Sequence, residues 1–365
     1  MKPVKHLVRI FSLLILLGMS TSLLFAKTQV VKLISEYHVN PIGIDVQKPR
    51  LSWQILSDGQ NVMQTAYEIK VTDQSSKGKL IWTSGKVESD QSVNVTYGGP
   101  ALKSMQRVYW QVRVWDNKKN VSAWSQPAFW EMGILEPEAW KASWINMGSA
   151  NDTLAVRPCQ YFRKEFSTNK KIKSARIYVT SKGLYQLFLN GQKVSDELFT
   201  PGWTSYNKRT QYQTFDVTSM LQGKNSLGAI LGDGWYRGTI GWSSKRGYYG
   251  TKLALLAQLQ INYTDGTSEM ICSDNSWKVV DNGPIRGSGI YDGETYDARM
   301  EIPGWDKPGF NDSKWESASV ISQSNEILTA PQGVPVRAIM EIKPIKLMTT
   351  PKGETVYDLG QNMVG

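Results

Sequence analysis

The sequence has few of the residues that hold metals and disulfides. Its 365 residues include only two cysteines, Cys159 and Cys272, and two histidines. So few sulfur and imidazole ligands exclude a zinc cage of the tetrahedral kind. A disulfide would need the two cysteine Cα atoms within about 7 Å of each other. The sequence does not show whether they approach, so their pairing stays open.

Helical periodicity and clustered charge are also missing. Past residue 26, no stretch keeps apolar residues on one helical face for three turns, and no apolar run is long enough to cross a bilayer. Lys and Arg outnumber Asp and Glu by 42 to 32, but the basic residues are scattered between acids. A nucleic-acid binder concentrates its positive charge on one face or element. We therefore expect no helical domain, no membrane span after residue 26 and no nucleic-acid partner.

The first 26 residues predict a cleavable export signal. Lys2, Lys5 and Arg9 give a basic start, an apolar run covers residues 10–17, and Ala26 is a small residue suited to cleavage. The apolar run is too short for a membrane-spanning helix. The sequence thus predicts an exported protein, periplasmic or extracellular.

Residues 30–136 contain short apolar or alternating runs separated by turns. The runs at 51–55, 66–71 and 108–115 each have the length and composition of a β-strand. About seven such strands in a hundred residues are typical of a β-sandwich. An early Trp53, then YWQVRVWD, then SAWS resembles a fibronectin type III-like module. We expect Trp53 and Trp110 to lie in its core.

Residues 137–328 predict a second all-β domain. Strand-like runs occur at 175–179, 185–189 and 253–261, and Asn190-Gly191 and Asp265-Gly266 are strong hairpin signals. We expect a jelly-roll or related two-sheet sandwich. Residues 329–365 then begin a further β-domain that is too short to fold alone.

Five motifs of the second domain combine glycine, aromatic and polar residues. They are LNGQKV (189–194), TPGWTSYNKRTQYQTFDVT (200–218), LGDGWYRG (231–238), GETYDARMEIPGW (293–305) and FNDSKW (310–315). In this order they resemble the N-terminal domain of bacterial α-L-rhamnosidases, glycoside hydrolase family 78. The preceding module and the closing YDLGQNMVG also look like that family's architecture. The resemblance covers essentially the whole chain after the signal.

The resemblance implies an exported enzyme that releases terminal α-L-rhamnose from plant glycosides or polysaccharides. The family inverts the anomeric centre with two carboxylates, about 6.5–9.5 Å apart, that flank the scissile bond. Those acids lie on an (α/α)6 barrel that follows the β-domains. No residue here matches the catalytic motif, so we expect no catalytic residue in this chain. The partner implied is the missing C-terminal catalytic domain.

Three acids of the fourth motif raise the possibility of chemistry in the chain itself. Asp292, Glu294 and Asp297 fall within six residues, and Glu294 with Asp297 would be the candidate acid–base pair. The alternative is that Arg299 pairs with one of them and fixes a loop. Neighbours in sequence seldom point at one bond, so we favour the loop.

Sugar binding is the more plausible activity of the second domain. Pyranose C–H groups pack on aromatic faces, while sugar hydroxyls need polar partners. The candidates for a rhamnose-containing glycan are Asn190, Trp203, Asp233, Trp235, Tyr236 and Trp242. The alternative is that the rings only close the ends of the sandwich core.

A calcium site is a further expectation from resemblance. Some such domains, carbohydrate-binding module family 67, hold rhamnose through calcium bound by an Asp-Asn pair and by an Asn or Asp before Gly-Trp. Asn190 and Asp233 match two of these positions, but Leu189 stands where the acid of the pair should be. Calcium needs six to eight oxygen ligands, so this loss weakens the site. A standalone exported carbohydrate-binding protein and a structural scaffold remain as alternative functions.

Overall fold

The computed structural model describes residues 28–149, 155–241 and 245–363, and the chain divides into two compact units between Gly133 and Ile134. The predicted export signal and Trp242 lie outside the described residues. Within them, helix is limited to α1 (Gly234–Arg237) and three 3-10 turns at Pro137–Ala139, Thr218–Met220 and Ala298–Met300. None of these helices is long and apolar enough to cross a membrane. The all-β class predicted from the sequence is confirmed.

The first unit is a sandwich of two sheets. Its strands are β1 (Gln29–Ser35), β2 (Ile42–Ile44), β3 (Arg50–Leu56), β4 (Gln64–Asp73), β5 (Leu80–Thr83), β6 (Val87–Glu88), β7 (Val95–Thr96), β8 (Arg107–Asp116) and β9 (Ala128–Met132). One sheet has the order β1-β3-β7, and the other has the order β2-β9-β8-β4-β5 with β6 paired to β4.

Strand β8 shows why the first unit folds this way. Its side chains alternate strictly, so that Val108, Trp110, Val112 and Val114 are buried. A period of two places these four residues on one face of the sheet, where they form the core. Trp53 is buried as well, at 2% exposure. The run YWQVRVWD is therefore part of a strand, as its pattern predicts, and β8 lies in the middle of its sheet.

The second unit has many more strands. They are β10 (Trp144–Asn146), β11 (Gln160–Ser167), β12 (Ile172–Lys182), β13 (Leu184–Leu189), β14 (Gln192–Lys193), β15 (Thr210–Gln211), β16 (Gln213–Asp216), β17 (Lys224–Gly232), β18 (Thr239–Ile240), β19 (Lys245–Arg246), β20 (Ala254–Tyr263), β21 (Ser268–Cys272), β22 (Lys278–Val280), β23 (Ile285–Gly289), β24 (Gly293–Tyr296), β25 (Glu316–Ser317), β26 (Ser319–Ile321), β27 (Leu328–Thr329), β28 (Lys346–Thr349) and β29 (Thr355–Asp358).

Two mixed-length antiparallel sheets enclose the core of this unit. One has the order β16-β12-β20-β10-β26, with β21 on β20, and the other has the order β14-β13-β17-β11-β22-β25. Alternate residues of both sheets meet in one cluster that includes Ile177, Leu187, Leu189 and Leu259. This is the two-sheet sandwich expected from the sequence. The pairs β18–β19 and β23–β24 are short hairpins outside these sheets.

Two hairpins predicted from Asn-Gly and Asp-Gly are confirmed. Strands β13 and β14 are joined by Asn190 and Gly191, whose φ angles are 55° and 83°. Positive φ at both central residues matches the twist of the flanking strands. Strands β20 and β21 pair next to Gly266, whose φ is 85°.

The last described residues form the hairpin β28–β29. Leu347 pairs with Tyr357, and Met348 pairs with Val356. Successive residues of a strand point to opposite faces, so the hairpin carries apolar side chains on both. Leu347 is 62% exposed and Tyr357 is 63% exposed. On the other face, Met348 is 37% exposed and Val356 is 38% exposed, so both faces keep some exposed apolar surface among the described residues.

Candidate functional site

Exposed rings gather at one end of the second sandwich. We call this surface the aromatic patch; it consists of Phe199, Trp203, Trp235, Tyr248 and Tyr249. The rings of Trp203 and Trp235 are nearly parallel, with centroids 5.6 Å apart, and Phe199 packs 5.9 Å from Trp235. Trp203 is 52% exposed and Tyr248 is 55% exposed. An open indole face beside further rings is a surface on which a flat apolar group can stack.

A buried tyrosine supports the patch from below. Tyr206 is 2% exposed, and its ring meets Tyr236 and Tyr249 edge-on at 5.5 and 4.9 Å. Its hydroxyl donates to the carbonyl of Gly202 at 2.8 Å. Burial raises the pKa of both Tyr206 and Tyr236 above the ordinary range. The support is therefore neutral and fixed, which holds the outer rings in place.

Asp233 lies behind the patch and faces away from solvent. It is 2% exposed, and its two carboxylate oxygens accept from Arg237 Nε at 2.7 Å and Arg246 Nη2 at 2.6 Å. Arg246 also pairs with Asp292, which accepts from the Thr239 hydroxyl at 2.9 Å. The acid of LGDGWYRG thus ties α1 to the β23–β24 hairpin, instead of acting as an exposed ligand.

The side-chain amide of Asn190 is held by two backbone groups and by the side chain of Asn225. Its Nδ2 donates to the carbonyl of Met220 and to Asn225 Oδ1, both at 2.9 Å, and its Oδ1 accepts from the Ser226 N–H at 2.8 Å. These contacts use most of the hydrogen-bonding capacity of an amide. They fix the β13–β14 turn and leave little to offer a sugar.

The register of β13 and β17 separates the two candidate calcium ligands. Leu184 pairs with Gly232, the residue before Asp233, whereas Leu189 pairs with Leu227 at the other end of the strand, next to Asn190. A strand rises about 3.3 Å per residue, so the two ends lie on the order of 17 Å apart. Calcium–oxygen distances are about 2.3–2.6 Å. One ion could not contact both residues in this geometry, so the structure does not bring Asn190 and Asp233 together as the calcium prediction requires.

The surroundings of Leu189 explain why no acid stands at this position of the predicted calcium site. Leu189 is 1% exposed and belongs to the hydrophobic core. A carboxylate there would point into the core, where an unpaired charge is very costly. Among the described residues, no group of three or more His, Cys, Asp or Glu side chains could hold a metal ion.

The structure therefore splits the predicted sugar-binding set. Trp203, Trp235 and Tyr236 come together around the patch, Asp233 is buried behind it, and Asn190 lies at the far end of β13. Trp242 is outside the described residues. The glycine-rich motifs indicated the aromatic residues that come together in the structure. They did not indicate that the polar residues Asp233 and Asn190 lie far apart.

The acidic cluster forms structural pairs. Arg299 donates from Nε and Nη2 to the two oxygens of Asp297, at 2.8 and 2.6 Å, and lowers the pKa of that carboxyl. Asp292 pairs with Arg246, and Glu294 is exposed on β24. The pairing of Arg299 with one of the acids is the loop interpretation that the sequence favours.

Both cysteines are free thiols. Cys159 is buried, and burial raises its pKa to about 12; Cys272 is partly buried, with its pKa raised to about 11. A thiol with a raised pKa carries little thiolate at neutral pH and is a poor nucleophile. Neither thiol is therefore activated as a nucleophile by its surroundings.

Two family models match the two units in order. The model of the Rha78A-like N-terminal immunoglobulin domain matches residues 30–136, and that of the α-L-rhamnosidase N-terminal domain matches residues 170–340. The chain belongs to the α-L-rhamnosidase family.

Relatives in this family extend well past the region shared with the chain. An α-L-rhamnosidase from Alteromonas sp. (strain LOR) is 37% identical over 347 residues, which are 91% of this chain and 37% of that protein. The crystal structure of the Aspergillus terreus α-L-rhamnosidase is 37% identical with a TM-score of 0.85, covering 92% of this chain and 39% of the other. The chain thus corresponds to the N-terminal domains of an α-L-rhamnosidase.

A third relative is a Streptomyces avermitilis α-L-rhamnosidase whose structure is complexed with L-rhamnose. It is 28% identical with a TM-score of 0.85, covering 92% of this chain and 49% of that one. The chain therefore spans less than half the length of each of these three relatives.

Sequence patterns did not identify the buried cations of the second unit, among them Arg163 and Lys182. Arg163 is 1% exposed and Lys182 is 6% exposed. Both lie in strands of mixed composition, QYFRKEFS and IKSARIYVTSK, in which other charged residues stand close by, so no local sequence signal marks them as buried. Their partners come from distant parts of the chain, which no local pattern reveals.

Proposed function

We propose that the chain is the N-terminal, non-catalytic part of an exported α-L-rhamnosidase that hydrolyses terminal α-L-rhamnosyl residues of plant glycosides or polysaccharides. The observation that carries the proposal is the match of both β-units, in order, to a shared region that makes up 37–39% of two longer rhamnosidases. The missing C-terminal region would supply the catalytic carboxylates. The acids Asp233, Asp292 and Asp297 are already engaged by arginines, which supports their exclusion from chemistry.

The β28–β29 hairpin supports a covalent continuation into a further domain. A two-stranded hairpin is at best marginally stable alone, and this one exposes Leu347 and Tyr357 on one face. In a longer protein, additional strands would bury both faces. The catalytic domain is therefore the partner we assign to this region.

We assign substrate contact to the aromatic patch. The outer face of Trp203 is open, while Trp235 stacks behind it. Asp233 and Asn190 are already hydrogen-bonded to protein groups. Substrate contact at the aromatic patch would therefore be dominated by stacking of sugar C–H groups on the indole of Trp203. Such a platform orients a glycan weakly without fixing its hydroxyls.

Turnover of a chromogenic α-L-rhamnoside tests the main proposal. The chain alone should give no hydrolysis above background, whereas a version extended through the downstream region should be active. Hydrolysis by the chain alone would show that its own acids are catalytic. Export is tested separately by cell fractionation and by N-terminal sequencing, with residue 27 expected at the start of the mature protein.

The alternative is a standalone exported carbohydrate-binding protein, which the exposure of Trp203 favours. Calorimetry with rhamnose oligosaccharides, with and without calcium, separates it from a purely structural scaffold. Trp203→Ala should abolish binding if the patch is the site. Binding that requires calcium would reinstate a metal site elsewhere in the chain.

A further inference from the structure

Residues 334–340 form an exposed apolar segment of the second unit, which we call the strap. Its large apolar side chains, Val334, Val336, Ile339 and Met340, are all exposed, and the exposed fraction reaches 88% at Ile339. Arg337 is the only charged residue among the seven. Single exposed apolar residues are normal on a protein surface, whereas a cluster of them usually marks an interaction surface. The strap therefore has the composition of an interface.

Specific contacts fix the strap on the body of the second unit. The N–H of Leu198 donates to the carbonyl of Val336 at 2.8 Å, in an isolated antiparallel bridge. Arg337 Nη2 donates to Glu197 Oε1 at 3.0 Å, and Arg337 Nε lies 3.3 Å from Asp196 Oδ1. The strap thus has a defined position, in which its one charge is paired with the sandwich while its apolar side chains stay in solvent.

The strap lies beside the aromatic patch. Leu198, which binds the strap, is 42% exposed and directly precedes Phe199. The ring of Phe199 in turn lies 5.9 Å from that of Trp235, which stacks on Trp203. Exposed apolar surface therefore continues from the strap to the stacked rings.

We propose that the strap and Leu198 form a docking face, on which the second unit packs against the region that follows this chain in the full-length protein. The inference rests on the proposed function, because it takes the chain to be the N-terminal part of a longer α-L-rhamnosidase. Burial of these side chains against a further domain supplies the free energy of docking.

Two observations point to the downstream region as the occupant. The chain spans less than half the length of each of the three relatives described above, so most of such a protein lies outside this chain. The strap is also followed within a few residues by the β28–β29 hairpin, whose exposed apolar side chains we assign to the same neighbour. The docking face therefore lies close in sequence to the region that would cover it.

The chemistry of the strap fits a protein neighbour better than a glycan. Its exposed apolar side chains are aliphatic, apart from the thioether of Met340, so none offers a ring face on which a sugar can stack. Methionine adapts well to irregular protein surfaces. Docking here places the downstream region at the edge of the aromatic patch, so a glycan held on Trp203 lies where two parts of the enzyme meet.

Hydrogen exchange followed by mass spectrometry tests the docking face directly. The backbone amides of residues 334–340 are compared in this chain and in a version extended through the downstream region. We expect exchange of the strap to be slower by about tenfold or more in the extended protein, because the docked face must open before its amides exchange.

A double substitution tests the side chains. Ile339→Ser combined with Met340→Ser should lower the melting temperature of the extended protein by about 3 °C or more, since two side chains lose their burial. In the chain alone the melting temperature should not change, because both side chains are already in solvent. Val93→Ser is the matched control. Val93 is 59% exposed but belongs to the first unit, so its substitution should have no effect in either protein.

The proposal is overturned if the strap exchanges equally fast in both proteins, or if the double substitution has the same effect in both. Sedimentation of the chain alone tests a second copy as the occupant. A dimer that the double substitution dissociates would assign the strap to self-association and would also overturn the proposal. The proposed function fails separately, if the extended protein does not hydrolyse a chromogenic α-L-rhamnoside, since exchange and melting do not depend on hydrolysis.

Discussion

Arg163 and Lys182 are both buried in the second sandwich, but the surrounding protein provides carboxylate partners for the charge of Arg163 and, in the part of the chain that the structure describes, none for that of Lys182. The guanidinium of Arg163 reaches the carboxylates of Glu165 and Asp312 and donates to the carbonyls of Trp305 and Lys307 at 2.8 and 3.1 Å. The ammonium of Lys182 lies 3.3 Å from the Thr210 hydroxyl and 5.3 Å from the ring of Trp144, and among the described residues no carboxylate pairs with it.

The difference shows what each kind of cation can do when buried. Arginine stays charged and spreads five donors in a fixed plane, so Arg163 can clamp the segment 305–312 onto β11. Lysine can shed its proton, and desolvation lowers the pKa of Lys182 to about 8. Arg163 stays charged in its contacts with the segment 305–312 and with Glu165, and we call this set of contacts the clasp. Lys182 instead carries a charge that burial destabilises.

Removing the clasp should have the largest effect. Arg163→Met leaves two carboxylates and two carbonyls without their donor, so we expect a loss of about 3–5 kcal/mol in the free energy of unfolding. Urea denaturation measures it, and Arg163→Lys should recover only part of the loss. A change below that of an ordinary surface substitution would show that the clasp is not structural.

Removing the charge of Lys182 should raise the free energy of unfolding, the opposite of removing Arg163. Lys182→Met should stabilise the protein by about 1–2 kcal/mol at pH 7, because an apolar side chain of similar length avoids the desolvation cost. The folded pKa lies below the unfolded value of about 10.4, so between these pH values the unfolded state holds more protons and wild-type stability rises with pH. The advantage of Lys182→Met should therefore shrink from pH 8 to pH 10.5. Denaturation curves of both proteins across this range check it, and parallel curves would contradict it.

Neutralising one carboxylate partner of Arg163 should lower the free energy of unfolding by less than removing Arg163 does. Asp312 is 29% exposed and Glu165 still remains to pair with Arg163. Partly exposed pairs contribute about 1 kcal/mol or less, so Asp312→Asn should reduce stability by about that amount. A loss equal to that of Arg163→Met would mean that Asp312 alone holds the clasp.

The smallest effect should come from the hydroxyl beside Lys182. Thr210→Val keeps the shape and removes one long hydrogen bond to the ammonium, so we expect a loss of about 0.5–1 kcal/mol at pH 7. In the Lys182→Met background the same change should cost less, since no charge is left to solvate. A double-mutant cycle measures the coupling, and equal losses in both backgrounds would rule out the contact.

Local patterns predicted the strands but not the partners. YWQVRVWD became β8 and Asn190-Gly191 became a two-residue hairpin, because alternation and positive φ act within a few residues. The separation of Asn190 from Asp233 depends on the register of β13 with β17, which a sequence does not display. Arg163 meets a carbonyl 142 residues away. Such contacts follow from the closure of the whole sandwich.

The hairpin at Asn190 also bears on how the protein ages. Asn-Gly is the dipeptide most prone to deamidation, in which the glycine nitrogen attacks the asparagine side chain to form a succinimide and release ammonia. Here the Gly191 N–H donates to the carbonyl of Asp306 at 3.1 Å, and the Asn190 amide is held by three hydrogen bonds. Asp306 follows Trp305, whose carbonyl Arg163 holds. The clasp that fixes this segment thus also shields the turn from chemical damage, and stored samples of Arg163→Met should accumulate aspartate and isoaspartate at position 190.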